Sequence, residues 1–155
     1  MILLCGRNDA VADRLRALPR RIPMHVEGFT REVPLFMEIS DFFIGKPGPG
    51  SISEALQKKL PVIVQRNRWT MAHERYNARW LEETGAGIVV KDFRRDLAPA
   101  VARLLQPENY AAYRWRAADT RNRAVYEIPA MLSEILGETT GSRPGPAGDC
   151  LVRSR

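Results

Sequence analysis

Short apolar runs alternate along the chain with segments whose apolar positions recur at helical spacing. The runs are "MILLCG", "MHVEGF", "DFFIG", "PVIVQ" and "GIVV", and each reads as a buried strand. Between the first two lies "NDAVADRLRAL", with Asn8 or Asp9 as N-cap and Val11, Leu15 and Leu18 on one helical face. "TREVPLFMEI" predicts a short helix capped by Thr30, with Pro34 tolerated in its first turn. After "DFFIG" comes a glycine-rich turn, then a helix whose apolar face is Ile52, Ala55 and Leu56. The charged loop "RNRWTMAH" leads into a helix over "ERYNARWLEETG" that Gly85 stops. Only helices follow "GIVV": Leu97, Val101, Leu104 and Leu105 form one stripe, and Ile128, Met131, Leu132, Ile135 and Leu136 another.

Strands separated by helices, with near-continuous apolar runs, predict βαβ units and a mostly parallel, Rossmann-like α/β sheet with helices on both faces. One domain over residues 1–136 accounts for every periodic segment, and the Gly-, Pro- and Ser-rich remainder, 137–155, reads as a disordered tail. Ligands in such folds sit beyond the carboxyl ends of the strands. Function is therefore expected in loops 6–9, 28–31, 45–51 and 65–74.

Composition narrows this picture a little. The 155 residues are 45% hydrophobic and 27% charged, an ordinary globular balance. The net charge of +6 is carried mostly by arginine and fits a nucleic acid, an anionic membrane surface, a phosphorylated ligand or simple solubility. Cys5 and Cys150 show neither metal spacing nor a disulfide framework, which fits a cytoplasmic setting. No apolar run approaches the ~20 residues of a transmembrane helix.

The segment "GKPGPGSISEA", residues 45–55, carries the most specific chemistry. Gly48 and Gly50 let a ligand approach the backbone, Ser51 is an N-cap or N1 residue, and the free N–H groups and helix dipole there attract an anion. A tight strand-to-helix turn with no ligand would read the same way. The loop is neither a Walker A motif, since Lys46 precedes its glycines, nor a GxGxxG fingerprint. Glu54 points away from the apolar face and is placed to accept hydrogen bonds from a ribose diol, or merely to complement the dipole. Glu74 and Asn77, expected in the first turn of the next helix and sharing a face, suit sugar hydroxyls, while a solvated helix start is the plainer reading. His73 is a candidate phosphate partner, general base or cap neighbour. Phe29 would pack on a planar base or cover the sheet end.

Taken together, "GFTREVPLFMEISDFFIGKPGPGSISEALQKKLPVIV" and "HERYNARWLEETGAGIVV" resemble the C-terminal, nucleotide-sugar-binding half of a GT-B glycosyltransferase. The similarity is to glycosyltransferase family 28, in particular its diacylglycerol glycosyltransferases and monogalactosyldiacylglycerol synthases, with MurG more distant. It covers roughly residues 2–136. It implies that Gly48, Pro49, Gly50 and Ser51 clamp the donor diphosphate and that Glu54 holds the ribose. It likewise implies that His73, Glu74 and Asn77 read the transferred hexose, and that Phe29 and Thr30 hold the uracil. His73 and Gly45 depart from the usual Gln and Thr, and the Pro-Gly usual ahead of the Gln-Glu pair is lacking.

The resemblance also implies that "ILLCGRN" matches the second strand of the domain, so that the central first strand unit and an N-terminal domain bearing the acceptor site and catalytic base are missing. The chain is accordingly expected to be a fragment beginning at an internal methionine, binding a UDP-sugar without turnover. Its full-length form would transfer a hexose by direct displacement to a lipid or other hydroxyl acceptor, with peripheral membrane association. Neither a cofactor nor a metal is expected. A non-catalytic nucleotide- or nucleotide-sugar-binding module is the alternative; an RNA-binding domain lacks the aromatic-basic clustering it would need, so no nucleic-acid partner is expected.

Overall fold

The computed structural model describes residues 1–19, 22–120 and 123–137. The expected tail, Gly137 apart, and Cys150 lie outside the described residues. The chain forms two compact units, Met1–Arg121 and Asn122–Arg155. In the first, the strands are β1 (Ile2–Leu4), β2 (His25–Glu27), β3 (Phe43–Gly45), β4 (Val62–Gln65) and β5 (Gly87–Val90). Between and after them run α1 (Asp9–Arg16), α2 (Val33–Glu38), α3 (Pro49–Gln57), α4 (Ala72–Thr84), α5 (Phe93–Leu104) and α6 (Pro107–Asp119). The second unit contributes α7 (Ala124–Ile135), which carries the expected apolar stripe and holds Pro129 in its interior.

All strand pairs are parallel, as the βαβ pattern predicts, but they form two ladders: β1 with β2, and β3-β4-β5. The second ladder holds the core. Successive side chains of β4 alternate between its two faces. Val62 and Val64 join Ile52, Ala55 and Leu56 of α3 and Ala78 and Leu81 of α4, while Ile63 joins Ala100 and Leu104 of α5 and Tyr113 of α6. Val62, Ile63 and Val64 are fully buried, each burial being worth about 1.5–3 kcal/mol. Gly87 is required where β5 crosses this core, because a Cβ there would collide with the Val62 carbonyl oxygen.

Several local expectations shift. Asn8 caps α1 through its side chain, which accepts the Val11 N–H at 3.1 Å. The α1 face expected to be covered is instead open: Val11 and Leu18 are exposed and only Ala12 is buried. Thr30 does not cap α2. Its hydroxyl accepts the Glu32 N–H at 2.9 Å, ahead of a helix whose N-cap is Glu32 itself. The N-cap of α3 is Gly48, with Pro49 and not Ser51 at N1, since proline's fixed φ suits that position. Finally, α4 starts at Ala72, so Glu74 lies in its first turn and Asn77 one turn later.

Candidate functional site

The glycine turn after β3 is built from its own backbone. Gly45 follows Phe43 on the same side of the strand, and a Cβ at Gly45 would come within 2.8 Å of the Phe43 ring. That ring gives a steric reason for glycine at this position. Pro47 is buried beneath the turn. At the start of α3 no side chain caps the helix, and Pro49 has no N–H. The Ser51 hydroxyl donates to the Gly48 carbonyl at 3.2 Å and leaves the first-turn amides alone. The N–H groups of Gly50 and Ser51 thus end the helix without an acceptor among the described residues, at its positive pole.

Glu54 is exposed, as its helical phase predicts, and its carboxylate makes no ion pair or hydrogen bond among the described residues. Asn77 reaches across 30 residues of sequence: its Nδ2–H donates to the Pro47 carbonyl at 2.9 Å. This bond fastens α4 to the glycine turn and occupies one of the donors that the sequence assigned to a sugar. Its Oδ1 remains available as an acceptor. His73 is exposed and Glu74 half-buried on the preceding turn of the same helix.

The loop entering α4 folds on its own side chains. Asn67 Oδ1 accepts the Trp69 N–H at 2.9 Å, an Asx turn, and the Thr70 hydroxyl accepts the Asn67 N–H at 2.9 Å. Arg75 holds the loop shut by donating to the carbonyls of Thr70 and Arg68, both at 2.9 Å. A cavity of about 650 Å³ opens beside it, lined by Arg66, Asn67, Arg68, Arg75, Tyr76 and Arg79. Arg66 pairs with Glu82 at 3.1 Å and Arg79 with Glu83 at 2.8 Å, while the Arg68 guanidinium lies 5.0 Å over the ring of Trp69.

A second cluster lies at the ends of β1 and β2. Phe29 is 59% exposed, so it neither packs in the core nor covers the sheet end. The Arg7 guanidinium stacks 4.9 Å from its ring centroid, a cation–π contact that steadies the aromatic face. Gly6, at φ 56°, turns the chain so that Arg7 leaves β1 in this direction. Thr30 is half-buried beside Phe29.

Sequence reasoning placed function in the loop holding Arg7 but assigned it no part. It also missed Pro47 and the arginine cavity. A cation immediately after a strand and its glycine was the available signal for Arg7. No local signal reports the Asn77–Pro47 bond. Among the described residues, no three His, Cys, Asp or Glu side chains are grouped to hold a metal ion, and no helix is long and apolar enough to cross a membrane.

Comparison with known proteins places this arrangement. Residues 1–127 match the glycosyltransferase family 28 C-terminal domain. Over 109 residues the chain is 37% identical to a probable monogalactosyldiacylglycerol synthase 3, chloroplastic, of Oryza sativa subsp. japonica, covering 70% of this chain and 21% of that protein. Over 91 residues it is 36% identical to monogalactosyldiacylglycerol synthase 2, chloroplastic, of Arabidopsis thaliana, covering 59% and 19%. The chain thus spans about a fifth of the length of these relatives. Its fold is similar to the crystal structure of WaaG, a glycosyltransferase involved in lipopolysaccharide biosynthesis. That match has a TM-score of 0.58 and 19% identity, and covers 90% of this chain and 38% of WaaG.

Proposed function

This chain belongs to the glycosyltransferase family 28 C-terminal domain family, and we propose that it is a donor domain that binds a UDP-sugar for transfer of a hexose to a lipid hydroxyl. The observation that carries the reading is the Asn77–Pro47 bond, which holds the helix bearing His73 and Glu74 against the turn whose amides are bare. Gly48, Pro49, Gly50 and Ser51 take the diphosphate, Glu54 the ribose diol, and His73, Glu74 and the Asn77 carbonyl oxygen the hexose. Phe29, steadied by Arg7, and Thr30 take the uracil.

In the transfer, the acceptor oxygen attacks the anomeric carbon while the bond from that carbon to the diphosphate oxygen breaks. Negative charge then grows on the departing UDP, where the Gly50 and Ser51 amides and the α3 dipole stabilise it. The acceptor's proton goes to a base that this chain does not supply, so the 155 residues alone bind donor without turnover. The names of the rice and Arabidopsis relatives, which specify a galactosyldiacylglycerol, support a lipid acceptor. Peripheral attachment to an anionic membrane follows from the same reading and uses Trp69, 79% exposed, with Arg68 stacked on it.

Calorimetric titration of the chain with UDP, UDP-glucose and UDP-galactose tests the site. Glu54→Ala is expected to weaken all three ligands about tenfold, the loss of a charged hydrogen-bond acceptor. Glu74→Ala is expected to weaken the two sugar nucleotides and spare UDP. Absence of UDP binding would overturn the proposal. Binding indifferent to the sugar and to Glu74 would point to a nucleotide-binding module, and product from UDP-galactose and diacylglycerol would overturn the lack of turnover.

A further inference from the structure

Among the described strands, β4 alone is paired on both sides. β1 and β3 have the composition of interior strands, Ile-Leu-Leu and Phe-Ile-Gly, yet each has an open edge. Their apolar side chains are correspondingly uncovered: Leu4 is 41% and Ile44 39% exposed. The helices joined to these strands share the defect, with Val11 and Leu18 of the α1 segment and Leu35 and Ile39 of the α2 segment exposed.

Register identifies the open backbone groups. Met1 O accepts from His25 N and Cys5 N donates to Glu27 O, so the odd residues of β1 face β2. In a parallel ladder alternate residues point opposite ways, which turns the N–H and C=O of Ile2 and Leu4 outward. Likewise Phe43 N donates to Pro61 O, so Phe43 and Gly45 face β4 and Ile44 faces outward. These groups have no partner among the described residues.

Chain direction supplies the rest. From β1 the fold steps to β2 and stops, and from β3 it steps through β4 to β5. A doubly wound sheet in the order 3-2-1-4-5-6 has the same two arms, growing away from one central strand. The pair β2-β1 corresponds to 3-2, and β3-β4-β5 to 4-5-6. No described strand corresponds to the central one.

We propose that the open edges of β1 and β3 are the two sides of a docking site for one further parallel strand, supplied by a polypeptide segment outside these 155 residues. Its chemistry is defined by what it must meet. It is extended, at least four residues long, free of proline, apolar and β-branched because both its faces become buried, and it leads into a glycine turn. The matched region is about a fifth of the relatives' length, so four-fifths of each relative is polypeptide outside it. A strand seated between β1 and β3 would end beside the loops carrying Arg7 and the glycine turn, the switch point where such sheets bind ligands.

The test adds the synthetic peptide acetyl-Lys-Val-Ile-Val-Val-Thr-Gly-Gly-Ser-amide to the 155-residue chain and follows amide hydrogen exchange. Protection of the Ile2, Leu4 and Ile44 amides is expected to rise about tenfold or more. A control peptide with proline in place of its second and fourth strand residues is expected to give no protection, because it lacks the ladder donors. Ile44→Pro removes an N–H that faces away from β4, so this variant should keep the native circular dichroism and lose the response to peptide. No protection, equal protection by the proline control, or an undiminished response in Ile44→Pro would overturn the proposal. So would a dimer in sedimentation whose own edges are already protected, since the occupant would then be a second copy. UDP binding is measured in parallel: its presence without peptide protection defeats strand docking alone, and its absence with protection defeats the donor reading alone.

Discussion

Asn77 shows how one side chain carries more than its residue type announces. Read as a sugar-binding amide, its loss should spare UDP, but the structure makes it the clasp of the diphosphate turn. Asn77→Ala is therefore expected to weaken UDP and UDP-sugar together, with Glu74→Ala remaining sugar-selective; titration of both variants with both ligands separates the roles. Lys59 offers a stability test far from any ligand chemistry. It sits at φ 62° just after α3, where Leu60 N donates to Ala55 O and Lys59 N to Leu56 O, a Schellman closure. A side chain in that conformation is strained, so Lys59→Gly is expected to raise unfolding stability by about 0.5–1 kcal/mol in urea titration.

At the scale of elements, α5 depends on its first turn. Asp92 accepts the Arg94 N–H at 2.9 Å, and Asp96 accepts the Asp92 N–H at 3.0 Å. The hydrogen bond from Arg95, then that backbone N–H, hold the Asp96 carboxyl at about 2, below its ordinary value. A depressed carboxylate stabilises the folded state above its unfolded pKa of about 3.9 and loses that contribution as pH falls toward about 2. Thermal melts are expected to show a decline over that interval that is smaller in Asp96→Asn. Most elements were legible in the sequence because caps and periodicity are local: Asn8 caps α1, Gly85 ends α4, and Ile52, Ala55 and Leu56 are buried as their spacing required. The misplaced details, such as Thr30 as a cap and Ser51 at the helix start, arose where two adjacent residues could serve and backbone geometry selected one.

For the whole molecule, the net charge of +6 becomes informative only once part of it is located. Arg66, Arg68, Arg75 and Arg79 line one cavity, with the exposed Trp69 on the loop that borders it. Vesicle co-sedimentation is expected to show binding to phosphatidylglycerol-containing membranes that falls with salt, is weak on neutral phosphatidylcholine, and drops several-fold in Trp69→Ser. Salt-independent binding, or no effect of Trp69→Ser, would count against attachment through this loop.

The order of strands and helices, the β4-centred core and the glycine turn follow from local periodicity, turn chemistry and burial, which act over a few residues and leave their mark in sequence. The clasp between Asn77 and Pro47, the stacking of Arg7 on Phe29, and the separation of the sheet into two ladders belong to tertiary structure. Each joins groups that no short-range pattern links, and each depends on which backbone edges find partners once the chain has folded.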